Sequence, residues 1–79
     1  MKLVDIGNGN FISAGRVVAV ISPDSLPVRR LIQDAKNIGR VIDVSCGKKT
    51  KAVLITDSDH IVLSAETPQE LNERFSHEQ

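Results

Sequence analysis

"RVIDVSCGKKTKAVLITDSDHIVLSA", Arg40 to Ala65, contains three short β-prone runs, "RVIDVS", "KAVLIT" and "HIVLSA". Valine and isoleucine dominate them, and turn-favouring Gly, Ser and Asp separate them. The pattern predicts an antiparallel three-strand meander, joined by a lysine-bearing hairpin turn at Gly47 to Lys51 and by the tight turn "DSD". Within the runs, "AVLI" and "IVL" are continuously apolar instead of alternating with polar residues, so both faces of these strands need cover.

Upstream, "KLVDI" and "FISAGRVVAVIS" read as an opening hairpin around "GNGN", where Gly7 and Gly9 permit positive φ. Ser25 is a candidate N-cap and Pro27 fits a first helical turn, so a helix is expected from near Leu26. Val28, Leu31, Ile32, Ala35 and Ile38 make one apolar face, Arg29, Arg30, Gln33 and Lys36 fall on the polar side, and Gly39 is placed to end the helix. Downstream, Thr67, Pro68 and Glu70 form a capping box for a short helix through Phe75, with residues 76–79 a frayed tail. The expected class is α+β in one domain over residues 1–79, built on a small, mainly antiparallel sheet.

Size shapes the next expectation. A chain of 79 residues has a thin core, because domains this small bury only about 60–65% of their unfolded surface. Two helices cover little more than one sheet face, so part of the second face or an edge is expected to be buried in a homo-oligomer. Val17 to Ile21 is the longest apolar run, five residues against the roughly 20 that span a bilayer, and "MKLVDIGNGN" carries no signal-peptide core. Cys46 is the only cysteine, which excludes an internal disulfide. A cytoplasmic protein without membrane partners is expected.

The formal charge is zero, but residues 1–51 hold nine Lys or Arg against four acids, and residues 52–79 hold one Arg against six. Enzyme signatures are weak. "GNGNFI" lacks the third glycine of a dinucleotide fingerprint, having Ile12 there, and "CGKKT" places Lys49 where a phosphate loop requires Ser or Thr. "DSDH" reads better as a hairpin turn, with Asp side chains bonding their own backbone, than as a metal site, and Cys46 has no nearby base. Neither catalysis, a cofactor nor a small-molecule substrate is expected. What remains is the basic turn with Lys48, Lys49 and Lys51, together with Arg16, Arg29, Arg30 and Arg40 in the same acid-poor half. Phosphate is the fitting partner. With no Trp or Tyr, and only Phe11 and Phe75, stacking on unpaired bases is disfavoured and duplex DNA is the better target.

The run from Leu3 to Ala65, with its "GNGN" turn, "SPDSLPVRR" helix start, "GKKTKA" loop and "TDSDH" turn, resembles the RemA family of extracellular matrix regulators. No single motif is diagnostic; their order and spacing are. The resemblance implies a bacterial, nucleoid-associated DNA-binding regulator of biofilm matrix genes, with small subunits assembled in a ring on bent or wrapped DNA. It assigns DNA contact first to Lys48 and Lys49, with Lys51 beside them, and to Arg16; Pro27 is structural. The family loop usually carries arginines and an aromatic before the glycine, where this chain has lysines and Cys46. Lysine holds phosphate as a point charge without the bidentate fork that arginine offers to guanine. Arg16 is left open between DNA and a subunit interface, where a carboxylate of the acidic half could meet it; DNA is favoured because Ser13, Ala14 and Gly15 supply no charge partner. An oligomeric scaffold that does not bind DNA is the alternative function.

Overall fold

The computed structural model describes residues 1–77. Chain order is β1 (Leu3–Gly7), β2 (Asn10–Ser13), a 3-10 turn (Ala14–Arg16), β3 (Val17–Ile21), α1 (Leu26–Asn37), β4 (Val41–Asp43), β5 (Ala52–Thr56), β6 (Ile61–Ser64) and α2 (Pro68–Ser76). The α+β class holds, with two sheets whose pairings are antiparallel except one. Residues 78 and 79 of the expected frayed tail lie outside the described residues; Ser76 closes α2.

The opening hairpin is β1 with β2, turned by Asn8 and Gly9, both at positive φ, as the Asn-Gly pair of a two-residue loop requires. Its second strand is shorter than expected. The 3-10 turn at Ala14–Arg16 breaks the run, and β3 joins a separate four-stranded sheet of order β3-β5-β6-β4.

That order corrects the meander. β5 and β6 do form a hairpin, but β4 pairs with β6 in parallel, Val41 opposite Ile61 and Asp43 opposite Leu63. The cause is α1, which carries the chain back along the sheet after β3, so β4 must run in the direction of β3. The two are the outer strands of a β-α-β crossover, and the β5–β6 hairpin fills the space between them. Consequently the lysine segment is not a hairpin tip. Residues 44–51 arch across the end of β6, about 10 Å for two strand spacings.

The continuous apolar runs are explained by burial on both faces. On one face Ala52, Leu54 and Val62 pack with Ile6 of the hairpin and Leu71 of α2; on the other Val53, Ile61 and Leu63 pack with Ala35 of α1. The chain therefore covers both faces of the central strands β5 and β6 itself, because the hairpin folds over the sheet, which leaves the edges as the part of the sheet a second subunit would cover. Exposed apolar side chains remain on the edge strands, Val18 on β3 and Ile42 on β4, and elsewhere at Leu3, Phe11, Leu26 and Ile38.

Both helices start as the sequence predicts. The Ser25 hydroxyl accepts from the Val28 N–H, and Thr67 and Glu70 cap reciprocally, the Thr67 N–H donating to Glu70 Oε1 at 2.8 Å and the Glu70 N–H to the Thr67 hydroxyl at 3.1 Å. Gly39, at φ 70°, follows the end of α1. Among the described residues, no helix is long and apolar enough to cross a membrane.

Candidate nucleic-acid interface

The arch that bears the lysines is fixed at both ends. Asp43 accepts from the Ser45 hydroxyl at 2.6 Å and from the Ser45 N–H at 2.9 Å; the hydroxyl first, then the N–H, hold its carboxyl below the usual carboxylate range. Cys46 and Gly47 follow at φ 54° and 79°, and the Lys48 N–H closes the turn on the Ser45 carbonyl at 3.1 Å. Positive φ at both central residues is the pattern of a mirror-image turn, costly for Cys46 and free for Gly47. Asn8 donates to the Val44 carbonyl at 2.8 Å, and the Lys51 N–H to the Ser64 carbonyl at 2.9 Å. A pinned backbone thus presents three exposed lysine side chains.

Lys49, Thr50 and Lys51 line an open cleft of about 260 Å³, whose other walls are Ser22, Pro23 and Asp24 after β3 and Thr67, Pro68 and Gln69 at the start of α2. Helix α1 begins at the same end of the sheet, so exposed Arg29 and Arg30 in its first turns belong to this end as well. Among the described residues, none of Lys48, Lys49, Lys51, Arg29 and Arg30 forms an ion pair. Asp24 lines the cleft, Glu70 lies within electrostatic reach of Lys51, and Asp43 anchors the arch through Ser45, so acids are present at this end too. Five cations without an ion-pair partner among the described residues therefore share one end of a neutral chain.

Arg16 is elsewhere. Strand pairing sets Val17 opposite Thr56 and Ile21 opposite Val53, so Arg16 is at the far end of β5 from Lys51. Five strand residues separate them, about 17 Å at the usual rise. Arg16 also has the charge partner that its sequence neighbours do not supply: its Nε lies 3.0 Å from Asp57 Oδ1, and the Asp57 N–H donates to the Arg16 carbonyl at 2.9 Å. The pair is exposed, 66% and 47% for the two side chains, so it adds no more than about 1 kcal/mol to stability and leaves the guanidinium within reach of solvent. Arg40, at the same end, donates to the Ser58 carbonyl at 3.0 Å.

The "DSD" turn holds its shape through hydroxyls more than through aspartates. The Thr56 hydroxyl accepts from the His60 N–H at 3.1 Å, Ser58 Oγ lies 2.8 Å from His60 Nδ1, and Asp59 takes positive φ, while Asp57 faces Arg16. Among the described residues, no group of three or more His, Cys, Asp or Glu is placed to hold a metal ion. Phe11 is exposed on the hairpin and Phe75 packs against the core, so they form no common stacking surface.

Of the seven basic residues singled out in the sequence, five share one end of the molecule, and Arg16 and Arg40 occupy the other. Asp57 was missed. Its position is set by the pairing of β3 with β5, strands far apart in the chain, which brings the residue after Thr56 level with the one before Val17.

Comparison with known proteins fits this arrangement to a family. The sequence profile described as "Extracellular matrix regulatory protein A-like" matches residues 3–75. A protein of Thermoanaerobacter sp. (strain X514), named a "Putative regulatory protein", is 54% identical over 76 residues, which cover 96% of this chain and 79% of that one. Proteins named in the same way from Moorella thermoacetica and Heliobacterium modesticaldum are 51% and 50% identical over 96% of this chain and 84% of their own lengths. With a fold and a basic arch continuous across the matched residues, the chain belongs to the RemA-like family of regulatory proteins.

Proposed function

We propose that this protein is a non-enzymatic, DNA-binding transcriptional regulator of biofilm extracellular matrix genes, acting in the cytoplasm on the nucleoid. The observation that carries the reading is the group of Lys48, Lys49, Lys51, Arg29 and Arg30, which among the described residues form no ion pair, at one end of a chain whose net charge is zero. Like charges held together on a pinned backbone repel one another, and a row of phosphates relieves that repulsion while releasing counterions. No cofactor or small-molecule substrate enters the reading.

A ring-like homo-oligomer completes it. β3 and β4 are the two edges of the four-stranded sheet, each with an exposed apolar side chain, Val18 and Ile42. Two different edges on opposite sides favour head-to-tail contacts, which close into rings when the rotation permits. Assembly of that kind would repeat the lysine arch around a perimeter and bring the Arg16 end of one subunit near the path of the same duplex. The second reading, an oligomeric scaffold without DNA, draws on the same exposed apolar residues.

Gel-shift titration of duplex DNA beside light-scattering mass separates the two. Lys48→Ala with Lys49→Ala is expected to keep mass and melting temperature and to weaken duplex binding strongly. Unchanged binding would reduce the arch to a solubilising segment, and a large mass with no binding by the wild type would favour the scaffold.

A further inference from the structure

We propose that Asp57 is a positioning residue for Arg16, tethering its guanidinium through Nε so that the terminal nitrogens meet a DNA phosphate end-on. This rests on the reading of the chain as a DNA-binding protein.

The geometry is one-sided. Asp57 Oδ1 takes Nε at 3.0 Å, and among the described residues Nη1 and Nη2 have no partner. A guanidinium carries five N–H donors in a fixed plane, so a carboxylate on the Nε side leaves the end-on edge, with two parallel N–H groups, open to a phosphate. Asp57 is itself well held. Its N–H bonds the Arg16 carbonyl, and the Asp59 N–H and the His60 N–H both bond Thr56, closing the turn that carries it. Without such a tether a long, exposed arginine explores many rotamers and loses that freedom on binding. The opposing effect is repulsion between the carboxylate and the incoming phosphate. The guanidinium lies between the two anions and attracts both, and the Asp57→Asn and Asp57→Ala variants separate the ordering from the repulsion.

The test compares Asp57→Ala and Asp57→Asn by fluorescence anisotropy on a labelled duplex, with Arg16→Ala in both the wild-type and the Asp57→Ala backgrounds. Asparagine keeps an oxygen to accept from Nε and removes the charge; alanine removes both. Asp57→Ala should weaken binding about two- to fivefold, Asp57→Asn should bind at least as tightly as wild type, and Asp57→Ala should have no further effect once Arg16 is alanine. Melting temperatures should differ little, since the pair is exposed. Wild-type or tighter binding by Asp57→Ala would make the carboxylate idle or a mask and overturn the proposal, as would Asp57→Asn binding as weakly as Asp57→Ala. Failure of the wild type to bind any duplex would instead overturn the DNA-binding reading, and this proposal with it.

Discussion

The Ser64 hydroxyl donates to the Ile6 carbonyl at 2.7 Å in full burial, and in turn accepts from the Glu66 N–H at 3.1 Å. It is a buried polar link between the opening hairpin and the four-stranded sheet. Ser64→Ala would strand the Ile6 oxygen away from water and should lower stability by about 1–3 kcal/mol, measured by urea unfolding. A change within error would mean that the hairpin is held by apolar contacts alone.

Acid should weaken the fold through two carboxylates. The Thr67 N–H, then the Thr67 hydroxyl, lower the pKa of Glu70, and the Ser45 hydroxyl and N–H lower that of Asp43. A carboxyl group with a folded pKa below its unfolded one contributes stability that is present above the unfolded pKa and lost as pH falls through the folded one. Stability should therefore decline from about pH 5 downward. Glu70→Gln, which keeps the capping geometry, and Asp43→Asn should each flatten the decline, and parallel pH profiles in wild type and both variants would contradict this origin.

The turn before the lysines contains one misfit residue. Cys46 sits at φ 54°, where a Cβ costs about 1–2 kcal/mol, beside Gly47 at φ 79°. Cys46→Asn should hold or raise the melting temperature, and Gly47→Ala should lower stability by roughly 1 kcal/mol. Because a Cβ at Gly47 would meet no atom within 4 Å, any loss there reports backbone conformation and not a clash. Equal melting temperatures for the wild type and Gly47→Ala would rule out positive φ at this turn.

Salt distinguishes one arch from many. Each neutralised phosphate contributes about −0.9 to the slope of log affinity against log salt, so three lysines of one subunit give about −3 at most. Several subunits on one bent duplex should give a slope several times steeper, with affinity rising with duplex length until the perimeter is filled and favouring flexible steps over any short base pattern. A shallow slope independent of length would exclude multivalent wrapping.

Local signals in the sequence were read correctly where one segment decides the outcome. Ser25, Thr67, Pro68 and Glu70 mark the helix starts because caps depend on residues within a single turn. The pairing partner of "VID" is not such a property. In the sequence the runs "RVIDVS" and "KAVLIT" lie five residues apart, within the two to five usual in hairpins; only the structure, which ends β4 at Asp43, leaves eight residues before β5 and room for another strand between them. Cover for the second sheet face was equally non-local, since it required the hairpin at residues 3–13 to fold onto a sheet built from residues 17–64. For the site, the lysines were legible as charge, whereas the match of Arg16 to Asp57 depended on a register that composition does not encode.

The crossover has a kinetic consequence. β3 and β4 are joined through α1 yet do not touch, so neither edge can be templated until β5 and β6 stand between them. Loop closure is least costly for the β5–β6 hairpin, whose turn is four residues long, and it should form early in the folding transition state, with β3 docking on one side and β4 on the other afterwards. Conservative truncations measured by stopped-flow would then give high φ-values at Leu54 and Val62 and low ones at Val41. The reverse pattern would place the nucleus in the helix and its flanking strands, and the hairpin would have to thread into a gap already made.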